Sequence, residues 1–150
     1  MIDRDIMHLD PNFRKKVIVL MDVVGMAYKN LHLFEWFRTA ARQKLLARTV
    51  KWPVAKPGTS YHEKWLAVDR TWLNSKGQPT WNGDYKFLIW IGDMCWMIWV
   101  RGESCHLQCN KKTIDQTMKK NSTRYKLAPA TEQLWLKRIN DCFRKHGYWI

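Results

Sequence analysis

Acidic residues are scarce in this chain: 13 Asp and Glu stand against 26 Lys and Arg, a formal net charge of +13 at pH 7. Such a field attracts polyanions and steers association, but nucleic acid, anionic cell walls and membrane surfaces all answer to it. Long apolar runs are lacking. Stretches such as Val17-Ile18-Val19-Leu20-Met21 fall far short of the roughly 20 residues that a membrane span needs. The start, Met1-Ile2-Asp3-Arg4-Asp5, is acidic and mixed. It lacks the basic stretch, apolar stretch and small-residue cleavage site of a secretory leader. The expectation is therefore synthesis and first residence in a cytoplasm. Paired CxxC spacing is missing too. The four cysteines, Cys95, Cys105, Cys109 and Cys142, are expected mostly as buried free thiols. A structural zinc site of Cys95, Cys105, Cys109 and a histidine is the weaker alternative. With no RNP-type aromatic motif and no zinc-finger spacing, charge alone supports nucleic-acid binding, and no specific nucleic-acid partner is expected.

What is present is enough for a core. Apolar residues make up 46% of 150 residues, which fits one domain with a short extension. Asp10-Pro11 reads as a helix start, a capping carboxylate followed by proline at the first helical position. Phe13, Val17, Leu20, Met21, Val24 and Tyr28 then recur at helical spacing. Leu31 to Phe37 reads as an aromatic strand, and Thr39 as the cap of a second helix carrying Ala41, Leu45 and Leu46. The stretch from Trp52-Pro53 to Ser60 holds two prolines and a glycine and reads as a loop. Leu66 to Leu73 is a buried strand, Asn74 to Gly77 a turn, Asp84 to about Met94 a helix, and about Met97 to Cys109 one or two strands. Lys111-Lys112 and Lys119-Lys120 lie in a polar stretch that reads as a linker. Beyond it Trp135, Ile139, Cys142 and Phe143 mark a last helix that Gly147 terminates. Helices and strands without regular alternation predict an α+β fold.

Two stretches carry chemistry. In Ser60-Tyr61-His62-Glu63-Lys64-Trp65-Leu66-Ala67-Val68-Asp69, a histidine leaves the loop and an aspartate ends an apolar run. In Glu103-Ser104-Cys105-His106, a glutamate precedes a histidine by three. Two histidines and a carboxylate make a three-ligand set with room for water, as catalytic zinc usually has, and a free carboxylate alongside can take a proton. A carboxylate at the end of Leu66-Ala67-Val68 is costly to bury unpaired. On residues alone the alternative stays open that Asp69 pairs with an arginine, His62 is a loop histidine and His106 a core one.

Phe37-Arg38-Thr39-Ala40-Ala41-Arg42-Gln43, Ala55 to Glu63, Leu66-Ala67-Val68-Asp69 and Glu103-x-x-His106 together resemble the zinc peptidases of the D-alanyl-D-alanine carboxypeptidase family. That family includes VanY-type enzymes and phage L-alanyl-D-glutamate endopeptidases. The resemblance covers roughly residues 10 to 110 and implies a Hedgehog/DD-peptidase-like fold, a small antiparallel sheet packed by helices, here with an added C-terminal helix. It implies a Zn2+ cofactor held by His62, Asp69 and His106. It also implies Glu103 as the base that activates water and protonates the leaving amine, and Arg38 as the cation on the substrate carbonyl. Ser60 and Gln43 match substrate-side positions, Gln43 usually supporting the arginine-bearing segment; a local structural role is the alternative for both. Relatives usually have glycine where this chain has Trp65, so the indole implies a changed ligand loop or backbone angle. They also have a glycine-rich Trp-Gly-Gly stretch where it has Cys95-Trp96-Met97-Ile98-Trp99.

The organisation expected is a zinc peptidase domain over 1–110 and a basic linker with an amphipathic helix over 111–150. The function that the resemblance implies is an endolysin, a monomer acting on the peptidoglycan stem peptide. It would be made in the host bacterial cytoplasm and reach the wall after holin-type release. A D,D- or L,D-carboxypeptidase and a non-catalytic zinc-binding relative are the alternatives. The C-terminal helix either lies on an anionic membrane or envelope surface, inserting Trp135, Ile139 and Phe143, or packs that stripe on the domain with its basic face in water. The packed arrangement is the one expected. Of the tryptophans, Trp72, Trp81, Trp96 and Trp99 are candidates to line a cleft, with most expected in the core.

Overall fold

The computed structural model describes residues 2–3, 5–51, 54–100, 103–109 and 129–147. Within them four α-helices accompany a small five-stranded antiparallel sheet, the α+β class expected from the order of elements. The boundary at residue 110, the linker lysines Lys111, Lys112, Lys119 and Lys120, and Trp52-Pro53 of the loop lie outside the described residues.

Helix α1 spans Pro11–Ala27, and the Asp10 carboxylate accepts from the N–H groups of Asn12 and Phe13. Phe13, Val17, Leu20 and Val24 are all buried, so the spacing read from the sequence is the core-facing stripe. Strand β1, Leu31–Glu35, stops short of Phe37. Trp36 leaves the ladder and turns its carbonyl to His62. Helix α2, Ala40–Thr49, is capped by Thr39, whose hydroxyl accepts from Arg42 N–H. Its leucines do not build the core: Leu45 is exposed, and the buried residue of the helix is Gln43.

Strand β2, Ala67–Leu73, is the spine of the sheet. The Asn74–Gly77 turn, with Gly77 at φ +71°, leads into β3, Pro79–Thr80, a strand too short to leave a periodic signal. Helix α3, Tyr85–Met94, starts on an Asp84 cap and buries Phe87, Leu88, Trp90, Ile91 and Met94. The two strands expected between Met97 and Cys109 are β4, Ile98–Trp99, and β5, His106–Gln108. The sheet runs β1-β2-β5-β4, with β3 also on β2.

Helix α4, Pro129–Lys145, buries Ile139, Cys142 and Phe143 in the same core as α1. Phe143 meets Trp96 edge to face at 5.1 Å, and Trp135 meets Phe87 at 5.1 Å. The stripe therefore packs on the domain, and Ile139 and Phe143 are not available for insertion into a membrane. No helix among the described residues is long and apolar enough to cross one. All four cysteines are free thiols, with Cys95, Cys109 and Cys142 buried. None of them belongs to a metal-ligand group among the described residues, which removes the cysteine zinc site.

Candidate metal centre

Strand register builds the centre. Asp69 on β2 pairs with Glu35 of β1 on one side and His106 of β5 on the other. Cross-strand partners project to the same face, so the three side chains form one row. A regular ladder from Leu33↔Arg70 would place Phe34 opposite Asp69. A bulge between Leu33 and Glu35 sets Glu35 there instead, which is how a bulge re-aims a side chain.

His62 enters from a single turn of 3-10 helix, His62–Lys64. Its Nδ1 lies 2.8 Å from the Trp36 carbonyl oxygen. A carbonyl only accepts, so Nδ1 carries the hydrogen and Nε2 turns its lone pair inward. His106 is set the opposite way: its Nε2 donates to Gln108 Oε1 at 3.0 Å, which leaves Nδ1 facing inward. These two nitrogens are 3.2 Å apart. Asp69 Oδ2 is 3.2 Å from His62 Nε2, and Asp69 Oδ1 is 3.0 Å from His106 Nδ1.

Facing lone pairs beside a carboxylate repel unless a cation lies among them, either a proton or a metal ion. The three ligand atoms all lie within 4.8 Å of one another, and the group can hold a metal ion. Two imidazole nitrogens and one carboxylate oxygen suit divalent first-row metals. Burial alone would raise the Asp69 pKa, but His62 and His106 hold it well below the usual carboxylate range. Burial lowers the His106 pKa, while the hydrogen bond and charge of Asp69 outweigh it and raise the value above that of ordinary histidine. Protonation of His106 and binding of a metal ion therefore compete at this nitrogen. Glu103 stands alongside, its Oε2 3.7 Å from His106 Nδ1 and its side chain 41% exposed, outside the ligand group but next to it.

Arg38 is clamped. Its Nε and Nη2 donate to Glu35 Oε2 at 3.0 and 2.6 Å, Nη1 to Gln43 Oε1 at 3.0 Å, and Nη2 also to Asp69 Oδ2 at 3.0 Å. A guanidinium carries five N–H hydrogens, so these four bonds leave one, on Nη1. Arg42 Nε binds the other Glu35 oxygen. The arginine partner and the two-histidine group, alternatives in the sequence, thus both engage Asp69.

Ser60 and Gln43 make local contacts, as the alternative left open in the sequence has it. Ser60 is buried, and its Oγ accepts from His62 N–H at 3.3 Å. Gln43 is fully buried; its amide supports Arg38 and donates to the Ala55 carbonyl at 2.6 Å. Trp65 closes the ligand turn at φ 59°, ψ 27°, the left-handed region that glycine enters freely. Its indole stacks on Phe37, centroids 5.4 Å apart. The bulky residue thus leaves the turn intact. Two residues of the centre were missed in the sequence. Glu35 gave no signal, because only the bulge brings it to this face. Gln108 stands two residues after His106 on the same strand, and alternation could have found it.

No protein-family model matches the chain, and no curated protein matches it.

Proposed function

We propose that this chain is a zinc-dependent peptidoglycan peptidase of the D-alanyl-D-alanine carboxypeptidase and VanY-type class, cutting the L-alanyl-D-glutamate bond of the stem peptide as an endolysin. The observation that carries the reading is the convergence of His62, Asp69 and His106, with Glu103 Oε2 3.7 Å from His106 Nδ1 and outside the ligand set. A metal-ligand group with a half-exposed carboxylate beside it is the arrangement a metallohydrolase needs. Zinc, when bound by these three residues, supplies Lewis acidity that polarises a carbonyl and acidifies water.

The chain's own residues do the rest. Glu103 takes a proton from the attacking water, whose oxygen bonds to the carbonyl carbon. As the C–N bond breaks, Glu103 returns that proton to the departing amine. Arg38 offers its remaining Nη1 hydrogen to the carbonyl oxygen, where negative charge grows; held by Glu35, Gln43 and Asp69, it needs no reorganisation to do so. The basic surface draws the protein to anionic envelope polymers, and release from the host cytoplasm by a holin-type leak brings it to the wall.

The test is digestion of purified wall by the zinc-loaded protein and its Glu103→Ala variant, alongside metal analysis. New alanine carboxyl and glutamate amino termini are expected, with the variant at least ~100-fold slower while keeping its zinc. Release of free D-alanine would assign a carboxypeptidase instead. Equal digestion by the variant, or no zinc in a folded protein, would sink the proposal.

A further inference from the structure

Behind the metal centre, on the other face of β2, lies a second cluster with no assigned role. Arg70 and Trp72 alternate with Asp69 along the strand, so they point away from it. The start of α3 brings Tyr85 against Trp72, ring centroids 6.3 Å apart and edge to face. Arg70 is fully buried. Its Nη2 donates to the Cys105 carbonyl at 3.2 Å. Its Nε and Nη1, the Trp72 Nε1 and the Tyr85 hydroxyl are sealed from solvent and have no hydrogen-bond partner. Burial pushes the Tyr85 pKa up to about 12, with Arg70 near enough to oppose the rise, so the hydroxyl keeps its hydrogen at neutral pH.

Every one of these groups offers a hydrogen, and the guanidinium and indole can do nothing else. Nearly all buried polar atoms find partners, and a buried guanidinium needs a counter-charge as well. Arg70 forms no ion pair with a described residue. Asp69, its neighbour along the chain, acts on Arg70 through its charge alone and is itself shared among Arg38, His62 and His106; Asp84, at the start of α3, is committed to the Tyr28 hydroxyl and the Phe87 N–H. Water would satisfy the donors but not the charge. The positive end of α3, a helix of 10 residues, adds attraction of the same sign.

We infer that Arg70, Trp72 and Tyr85 enclose a binding site for a small monatomic anion of the halide class, which acts as the counter-ion of a buried arginine. Closure of all four donor atoms to solvent excludes a polyatomic anion that keeps oxygens in water. The site is structural, and its occupant stabilises the face of β2 that backs Asp69. Its test is independent of any hydrolytic activity.

Thermal unfolding of the full-length, zinc-loaded protein would be followed as sodium chloride replaces sodium gluconate at fixed ionic strength, with crystals grown in bromide as a position marker. The unfolding midpoint should rise saturably by a few degrees, as binding to the folded state alone requires. The Tyr85→Phe variant should need several-fold more chloride for the same rise, and Arg70→Met should lose the response. The anomalous bromide peak should lie within hydrogen-bond reach of Arg70 and Trp72 Nε1. A midpoint indifferent to chloride, ordered waters on these donors with no bromide peak, or a peak only at His62, Asp69 and His106 would overturn the inference. Should Arg70→Met fail to fold, the wild-type bromide map and the Tyr85→Phe titration decide it.

Discussion

Single side chains set how the centre presents itself. His62 and His106 turn different ring nitrogens inward, Nε2 and Nδ1, because one is tied to a backbone carbonyl and the other to Gln108. Such outer partners fix the tautomer and the ring angle of a ligand. Gln108→Leu keeps the size of the side chain and removes the acceptor. It should weaken metal affinity about 10- to 100-fold, as read with zinc by competition with a chromophoric chelator. An unchanged affinity would show that strand geometry alone orients His106. Two tryptophans show the same economy in the backbone: Trp65 and Trp96 both sit at positive φ, 59° and 58°. Each offsets the strained backbone with a ring partner, Phe37 for Trp65 and Phe143 for Trp96.

Among the elements, α4 has the most consequential placement. Its apolar stripe completes the core, and its end is tied to α1, where Lys145 and His146 reach Asp22 at 3.1 and 2.7 Å. Burial would raise the Asp22 pKa, but the hydrogen bonds of His146 and Lys145 outweigh it and lower the value below 3.8. A carboxylate with a lower pKa in the folded state contributes stability that is complete above its unfolded value and is lost as pH falls through the folded one. Asp22→Asn removes that contribution. The gap in unfolding free energy between wild type and variant should be at most about 1 kcal/mol near neutrality for so accessible a pair. It should close as the pH is taken below about 4. Denaturant unfolding at several pH values checks this, and a gap that stays constant into acid would remove Asp22 from the docking of α4.

Over the whole molecule, the charge of +13 is a long-range property that no single site explains. Association with anionic wall polymers should fall steeply as the Debye length shrinks from about 30 Å to about 3 Å between ~0.01 and ~1 M salt. Co-sedimentation of the Glu103→Ala variant with intact walls measures this without digestion. Retention that ignores salt would point to a specific contact in place of the field. The two faces of β2 divide the labour: one presents Asp69 to the ligand row, and the other buries Arg70 behind it.

The sequence by itself marked most of the elements and the three side chains that could hold a metal ion, His62, Asp69 and His106. Caps lie next to the helices they start, as Asp10, Thr39 and Asp84 show. Periodicity is local, and the spacing around His62, Asp69, Glu103 and His106 is written along the chain. Only the tertiary structure decided what depends on register between distant segments. One bulge exchanges Phe34 for Glu35 beside Asp69 and so creates the clamp on Arg38. The burial of Gln43, and the turning of the α4 stripe into the core, follow from packing against partners far along the chain. A side chain's neighbours across a sheet depend on how strands pair, and a shift of a single residue changes the face it occupies.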